Sequence, residues 1–220
     1  MITPETVLEM LERVRSGDLR PEDAMDRLVN LPYEDTGFAK IDHHRALRLG
    51  LPEVVYCAGK TPAQSAEIFF RMAAMGGNVL ATRADRATAD AILELTPGAN
   101  YHATAKIVVF TQGPPPPSLG SLAVLCAGTS DLPVAEEAAI TAECMGAAVQ
   151  RICDVGVAGL HRLLASRDAL READVVVVCA GMEGALPSVV GGLVGAPVIA
   201  VPTSVGYGAS LEVWLLCSEC

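Results

Sequence analysis

The spacing of apolar and polar positions changes character near residue 113. Before it, the pattern is mixed. Val7, Leu8, Leu11 and Val14 recur at helical spacing behind Thr3-Pro4-Glu5 and predict a helix ending near Gly17. Pro21 opens a second helix with Ala24, Met25 and Leu28 on one face, so the chain begins as a helical hairpin. Leu31 to Asp35 reads as a loop and Phe38 to Ile41 as a short strand. Glu53 to Cys57 is a strand, and Thr61-Pro62-Ala63-Gln64 is a capping box with proline at the first helical position, predicting a helix to about Met75. Gly76-Gly77 turns the chain into a strand over Asn78 to Thr82. A helix over Asp85 to Leu95 is stopped by Thr96-Pro97-Gly98, and Tyr101 to Thr104 and Lys106 to Phe110 are short strands.

After it, the pattern is regular. Strands at Leu122–Cys126, Ala148–Cys153, Asp174–Cys179 and Pro197–Val201 alternate with helices at Pro133–Met145, around Leu160–Ser166 and around Leu186–Leu193. That alternation predicts a parallel sheet between two helical layers. The expected organisation is α/β: a mixed N-terminal α/β domain over residues 1–112, a proline-rich linker over 113–118 (Gly113-Pro114-Pro115-Pro116-Pro117-Ser118), and a three-layer parallel-sheet domain over 119–220.

Composition narrows the function classes. The apolar fraction is 51% with only 4% aromatics, so the core is built from Ala, Val, Leu and Ile. The net charge of −10 argues against nucleic acid or an anionic membrane surface as a main partner. Seven cysteines, an odd number and mostly far apart along the chain, point to free thiols and a cytoplasmic setting rather than a disulfide framework. Met1 to Arg20 lacks the apolar core of a signal peptide. Gly184 to Leu211 has no charged residue, but Pro187, Pro197, Pro202 and several glycines break it too finely for a membrane span.

Ligands of parallel sheets bind at the carboxyl ends of the strands. Four small-residue turns fall there: Gly128-Thr129-Ser130-Asp131, Asp154-Val155-Gly156, Gly181-Met182-Glu183-Gly184, and Pro202-Thr203-Ser204-Val205-Gly206-Tyr207-Gly208. The first precedes a helix, where backbone N–H groups favour phosphate or carboxylate. In the N-terminal half, Lys60 follows a glycine turn. It is a candidate point charge for phosphate or carboxylate, or simply a surface lysine beside a capped helix. The adjacent His43 and His44 diverge too widely to share one metal, so one packed and one exposed imidazole is the simpler expectation. Asp42, His43 and Arg45 are weaker candidates for facing a substrate anion.

The Gly128-Thr129-Ser130-Asp131 turn together with Ala180-Gly181-Met182-Glu183-Gly184-Ala185-Leu186-Pro187 resembles the PurE-type carboxylase/mutase family, which moves a carboxyl group on aminoimidazole ribonucleotide. Ala185 stands where that family has its catalytic histidine. A fuller resemblance is to the LarB family, the pyridinium biscarboxylic acid mononucleotide synthases, whose C-terminal domain is PurE-like. It extends over Leu31-Pro32-Tyr33-Glu34-Asp35, Asp42-His43-His44-Arg45, the segment Pro52 to Thr61, and the turns through Ser210.

That resemblance implies the first step of nickel-pincer cofactor synthesis. Nicotinic acid adenine dinucleotide is carboxylated on its pyridinium ring with CO2 or bicarbonate as co-substrate, and its phosphoanhydride is hydrolysed to release AMP. A pyridinium ring is too electron-poor to attack CO2. Adding a thiolate makes it an enamine that can, after which a base removes the ring proton and the thiolate leaves. By resemblance Glu183 is that base, and Ser130 and Asp131 orient carboxylate, phosphate or ribose. Gly128, Thr129, Gly181, Gly184 and Ser204 are substrate-binding positions. Asp131 is a candidate for a divalent cation such as Mg2+ during hydrolysis. No tightly bound cofactor is implied, and a homo-oligomer is expected.

After Ser210 the resemblance stops, and the family's nucleophilic cysteine has no matching position. Cys217 and Cys220 are the chemically possible substitutes, and a truncated or frame-altered tail is the expected reason. Three functions remain open at this point: a LarB-type synthase, a PurE-type carboxylase, and an inactive family member that still binds nucleotide.

Overall fold

A computed structural model describes residues 4–28, 33–49, 51–112, 117–182 and 184–204. The chain divides into two compact units, Met1–Pro114 and Pro115–Cys220.

The N-terminal unit opens with α1 (Pro4–Ser16) and α2 (Pro21–Leu28). Met10, Leu19 and Ala24 form their shared core, as helical spacing predicts. Glu34–Asp35, expected as loop, is instead a two-residue strand β1. It pairs antiparallel with β2 (Lys40–Ile41). The pairing is anchored by side chains rather than by strand length. Glu34 accepts from Arg71 and sits 3.1 Å from His43 Nε2, and Arg71 also reaches Glu67 at 2.6 Å. Burial alone would raise the Glu34 carboxyl, but Arg71 and His43 outweigh it and hold it below its usual range. His43 is thus packed and paired, whereas His44 is half-buried beside it.

After α3 (Arg45–Leu49), a four-stranded sheet forms in the order β3-β4-β6-β5. Its members are β3 (Val54–Tyr56), β4 (Val79–Thr82), β5 (Asn100–His102) and β6 (Ile107–Phe110). Only β3 and β4 run parallel. Strand β5 stops at His102, short of the expected Thr104, because residues 103–106 make the turn into β6. Helix α4 (Pro62–Ala74) has the capping box in place: Thr61 Oγ1 accepts from Gln64 N–H at 3.2 Å and Gln64 Oε1 accepts from Thr61 N–H at 3.0 Å. Helix α5 (Arg86–Leu95) is capped by Asp85. Phe69 and Ile92 from these helices are fully buried with Val55, Ala81 and Val108 of the sheet. Each such side chain contributes about 1.5–3 kcal/mol by leaving water.

The C-terminal unit is the three-layer α/β domain expected from the alternating pattern. Strands β7 (Ser121–Cys126), β8 (Ala148–Ile152), β9 (Val175–Ala180) and β10 (Val198–Pro202) form one parallel sheet in the order β10-β9-β7-β8. Helix α6 (Leu132–Cys144) covers one face, packing Ala135 and Ala139 on Val124, Cys126, Val177 and Cys179. Helices α7 (Leu160–Ala165), α8 (Arg167–Arg171) and α9 (Ala185–Gly191) cover the other, with Leu163, Leu170, Leu186 and Val190 on Leu125, Val176 and Val178. The alternate residues of each valine-rich strand therefore serve two cores at once. Among the described residues, no helix is long and apolar enough to cross a membrane.

Candidate functional site

Among the described residues, three of the turns at the carboxyl edge of the C-terminal sheet line a pocket of about 410 Å³. The β7 turn contributes Ala127, Gly128, Ser130 and Asp131. The β8 turn contributes Gly156, Val157 and Ala158, with Arg162 from α7, and the β9 turn and α9 contribute Ala180 to Met182, Ala185 and Leu186. Small residues line it because the turns approach one another closely. Gly156 N–H donates to Ala127 O at 3.0 Å, and a Cβ on Gly156 would stand 3.0 Å from that same oxygen.

Asp131 is the keystone of this edge. It is the last residue of a single 3-10 turn and immediately precedes α6, where the helix dipole favours a carboxylate. It is only 6% exposed, and both oxygens are engaged. Oδ2 accepts from Gly128 N–H at 3.0 Å, which fixes the shape of its own turn. Oδ1 accepts from Thr203 Oγ1–H at 2.5 Å, which ties the β7 turn to the end of β10. Thr203 is itself buried, and its N–H donates to Ala180 O at 3.0 Å, bringing the β9 turn into the same network.

At the rim, Arg162 pairs with Asp154. Gly159 makes room for this pair, since a Cβ there would stand 2.6 Å from Arg162 Nε. Asp154 and Met182 lie in the left-handed backbone region at φ 59° and 55°. Side chains are uncommon there and cost about 1–2 kcal/mol, so such residues cluster at sites whose shape the surroundings impose.

Beneath the pocket runs a row of thiols. Cys126 and Cys179 are register partners on β7 and β9 and are fully buried. Burial pushes the Cys126 thiol up to about 11, with Cys153 adding to the effect, and pushes Cys179 up to about 12. Such thiols stay protonated near neutral pH and are poor nucleophiles. Burial also raises Cys57 in the other unit and the half-buried Cys144. Cys153 is exposed.

Of the residues singled out from sequence, Gly128, Ser130, Asp131 and Gly181 line the pocket. Thr129, Gly184 and Ser204 belong to the same turns, outside the lining. Lys60, in the β3–α4 turn, and Arg45, at the start of α3, belong to the other unit. Glu183, Cys217 and Cys220 lie outside the described residues. Among the described residues, no group of three His, Cys, Asp or Glu side chains could hold a metal, and both oxygens of Asp131 are already occupied by hydrogen bonds. Among the described residues, the donor set does not by itself make a divalent-cation cage. Sequence reasoning missed Arg162 and Thr203. Arg162 carries no motif. Thr203 was visible only as one of several hydroxyls in the fourth turn.

A family model described as the LarB/PurE-like N-terminal domain matches residues 33–112, and one described as AIR carboxylase matches residues 121–215, past Ser210. The two matches fall one in each compact unit. An uncharacterized protein of Methanocaldococcus jannaschii is 36% identical over 214 residues, covering 92% of this chain and 83% of that protein.

Proposed function

This chain belongs to the LarB family, with a PurE-like carboxylase domain following its N-terminal domain, and from that premise we propose that it carboxylates the pyridinium ring of nicotinic acid adenine dinucleotide with CO2 or bicarbonate and hydrolyses the phosphoanhydride, giving pyridinium biscarboxylic acid mononucleotide and AMP. The observation that carries this reading over a PurE-type reaction is Ala185. It lines the pocket at the start of α9, where the purine reaction requires an imidazole. A methyl group neither donates nor accepts a proton.

The remaining lining suits the pyridinium chemistry. Gly128, Gly181 and Ala185 leave a small-residue wall against which a flat ring can lie. Arg162 is the cation among the described lining residues and suits an anionic substrate group, a carboxylate or phosphate, by charge-assisted hydrogen bonds. Asp131 holds the Gly128 turn and Thr203 in place, which makes it a positioning residue in this geometry. Ser130, exposed at the pocket, is a free-standing hydroxyl for ribose or carboxylate. The proton from the ring carbon passes to Glu183, between Met182 and Gly184, in this reading. The raised pKa of Cys126 and Cys179 argues against either as the attacking thiolate, and this reading takes Cys217 or Cys220 as the substitute nucleophile for that step. A cytoplasmic homo-oligomer is part of the same proposal, checked by light scattering on the purified chain.

The test is incubation with nicotinic acid adenine dinucleotide, bicarbonate and Mg2+, followed by mass spectrometry for AMP and a carboxylated mononucleotide. Both products are expected. Dinucleotide binding without product overturns the synthase reading in favour of a nucleotide-binding family member. Turnover that survives in both Cys217→Ala and Cys220→Ala removes these thiols from the mechanism.

A further inference from the structure

Three thiols stand side by side across the C-terminal sheet, outside the chemistry proposed above. Cys126 ends β7 and is the register partner of Cys179 on β9. Both face α6, in the core that holds Ala135 and Ala139. On the other side of β7, Leu125 pairs with Ile152 at the end of β8, and both belong to the opposite core. Side chains alternate along a strand, so the next residue of each, Cys126 and Cys153, comes to the α6 face on neighbouring strands. The turn that follows closes on the same position. Val155 N–H donates to Cys126 O at 3.2 Å, and the Cys126 sulfur meets both the Asp154 backbone N–H and the Cys153 thiol.

The two thiols differ in access. Cys126 is fully buried, whereas Cys153 is the exposed one among the described cysteines. Neighbouring strands stand about 4.8 Å apart, within the Cα separation of about 4.4–6.8 Å that a disulfide spans. Burial holds the Cys126 thiol up at about 11, with the Asp154 N–H opposing it and Cys153 adding to it. About one molecule in ten thousand then carries the thiolate at pH 7. A neighbour held in place offsets this scarcity, since effective molarities for oriented groups reach about 10⁵ M or more.

We propose that Cys126 and Cys153 are a peroxide-driven modification site, closing a reversible disulfide at the base of the pocket. The Cys153 thiolate attacks one peroxide oxygen, the O–O bond breaks, and Cys153 becomes a sulfenic acid as hydroxide leaves. The Cys126 thiolate attacks that sulfur, the S–O bond breaks, and a second hydroxide leaves. The two hydroxides take up the two thiol protons. Two thiols are thus oxidised by two electrons while one peroxide is reduced to two waters. The bridge joins the residues that precede the turns carrying Gly128 and Gly156 into the pocket lining. It also consumes the sulfur that meets the Asp154 N–H, and Asp154 pairs with Arg162, the cation among the described lining residues. Control of dinucleotide binding by the bridge rests on the function proposed above; the bridge itself does not.

The test is hydrogen peroxide treatment of the full chain, alkylation of the remaining thiols, and tryptic mapping without reduction. Cleavage after Lys106, Arg151 and Arg162 puts Cys126 in one peptide and Cys153 in the next. A species joining the two is expected, lost on treatment with dithiothreitol and absent in Cys153→Ser. It should persist in Cys144→Ser, since Cys144 shares the first peptide. Affinity for nicotinic acid adenine dinucleotide in calorimetry should fall about fivefold or more on oxidation, recover with dithiothreitol, and be unaffected by peroxide in Cys153→Ser. Cys126 still open to alkylation once the oxidised protein is unfolded, or a bridge from Cys153 to any other cysteine, overturns the site. Unchanged affinity in the cross-linked protein overturns its control of the pocket. Reduced protein that binds no dinucleotide overturns the functional reading instead, and the peptide map still decides the bridge.

Discussion

The two units solve one architectural problem with opposite chemistry. Each opens a sheet edge at the carboxyl ends of parallel strands, and each holds two side chains there in left-handed backbone. At the N-terminal edge charged side chains stand exposed on short turns, and the exposed Asp85 caps α5. At the C-terminal edge the turns are stripped to Gly, Ala and Ser, and Asp131 is buried and links two strands far apart in sequence. One edge is built to present charge to solvent. The other is built to keep its shape. An aspartate at the start of a helix therefore means different things in the two units, and the difference lies in burial and in what the second carboxylate oxygen reaches.

Substitution of Asp131 should break the comparison most strongly if it is wrong. Asp131→Ala orphans the half-buried Gly128 N–H and the buried Thr203 hydroxyl and should cost about 2–4 kcal/mol in chemical denaturation. A loss no greater than that of Asp85→Ala would end the distinction. Next comes alkaline pH. The Cys126 and Cys179 thiols have folded values raised above an unfolded value of about 9, so their contribution is fully present below that pH. It is lost as pH rises through about 11 and about 12, at about 1.4 kcal/mol per pH unit per thiol. Urea midpoints at rising pH check this, and a Cys126→Ala/Cys179→Ala variant should show a flatter decline than its parent. Asp85→Ala follows at about 1 kcal/mol, the ordinary cost of a lost helix cap. Smallest is Arg162→Ala, a rim pair expected to change stability by less than about 1 kcal/mol while weakening dinucleotide affinity in calorimetry.

The same contrast explains what could be read from sequence. The parallel sheet was legible because Leu122–Cys126 and Val175–Ala180 are apolar runs that only a doubly covered strand produces. The β3–α4 turn was legible because Thr61, Pro62 and Gln64 are local capping chemistry. Strand β1 was not, because two residues carry no periodicity and its anchor, Arg71, lies 37 residues away. The five-residue helices α3 and α8 are likewise too short to leave a period. The candidate site was legible as a set of turns, since strand ends mark where ligands meet such sheets. The roles within it were not. Asp131 attracted a chemical role as an acid in a small-residue turn, whereas its burial and its bond to Thr203, 72 residues on, depend on tertiary packing.

The contact between Gly156 and Ala127 has a bearing on how sequence can drift at this site. A side chain at 156 would meet the Ala127 backbone oxygen at 3.0 Å, and that carbonyl is itself held by the Gly156 N–H across the two turns. At Gly128 the nearest atom to a new Cβ is 3.8 Å away, an ordinary contact. Two glycines lining one pocket thus differ in their freedom. In a randomised library, 128 is the position where alanine can enter and narrow the pocket for a smaller ligand, whereas 156 admits change only if the β7 and β8 turns move apart together.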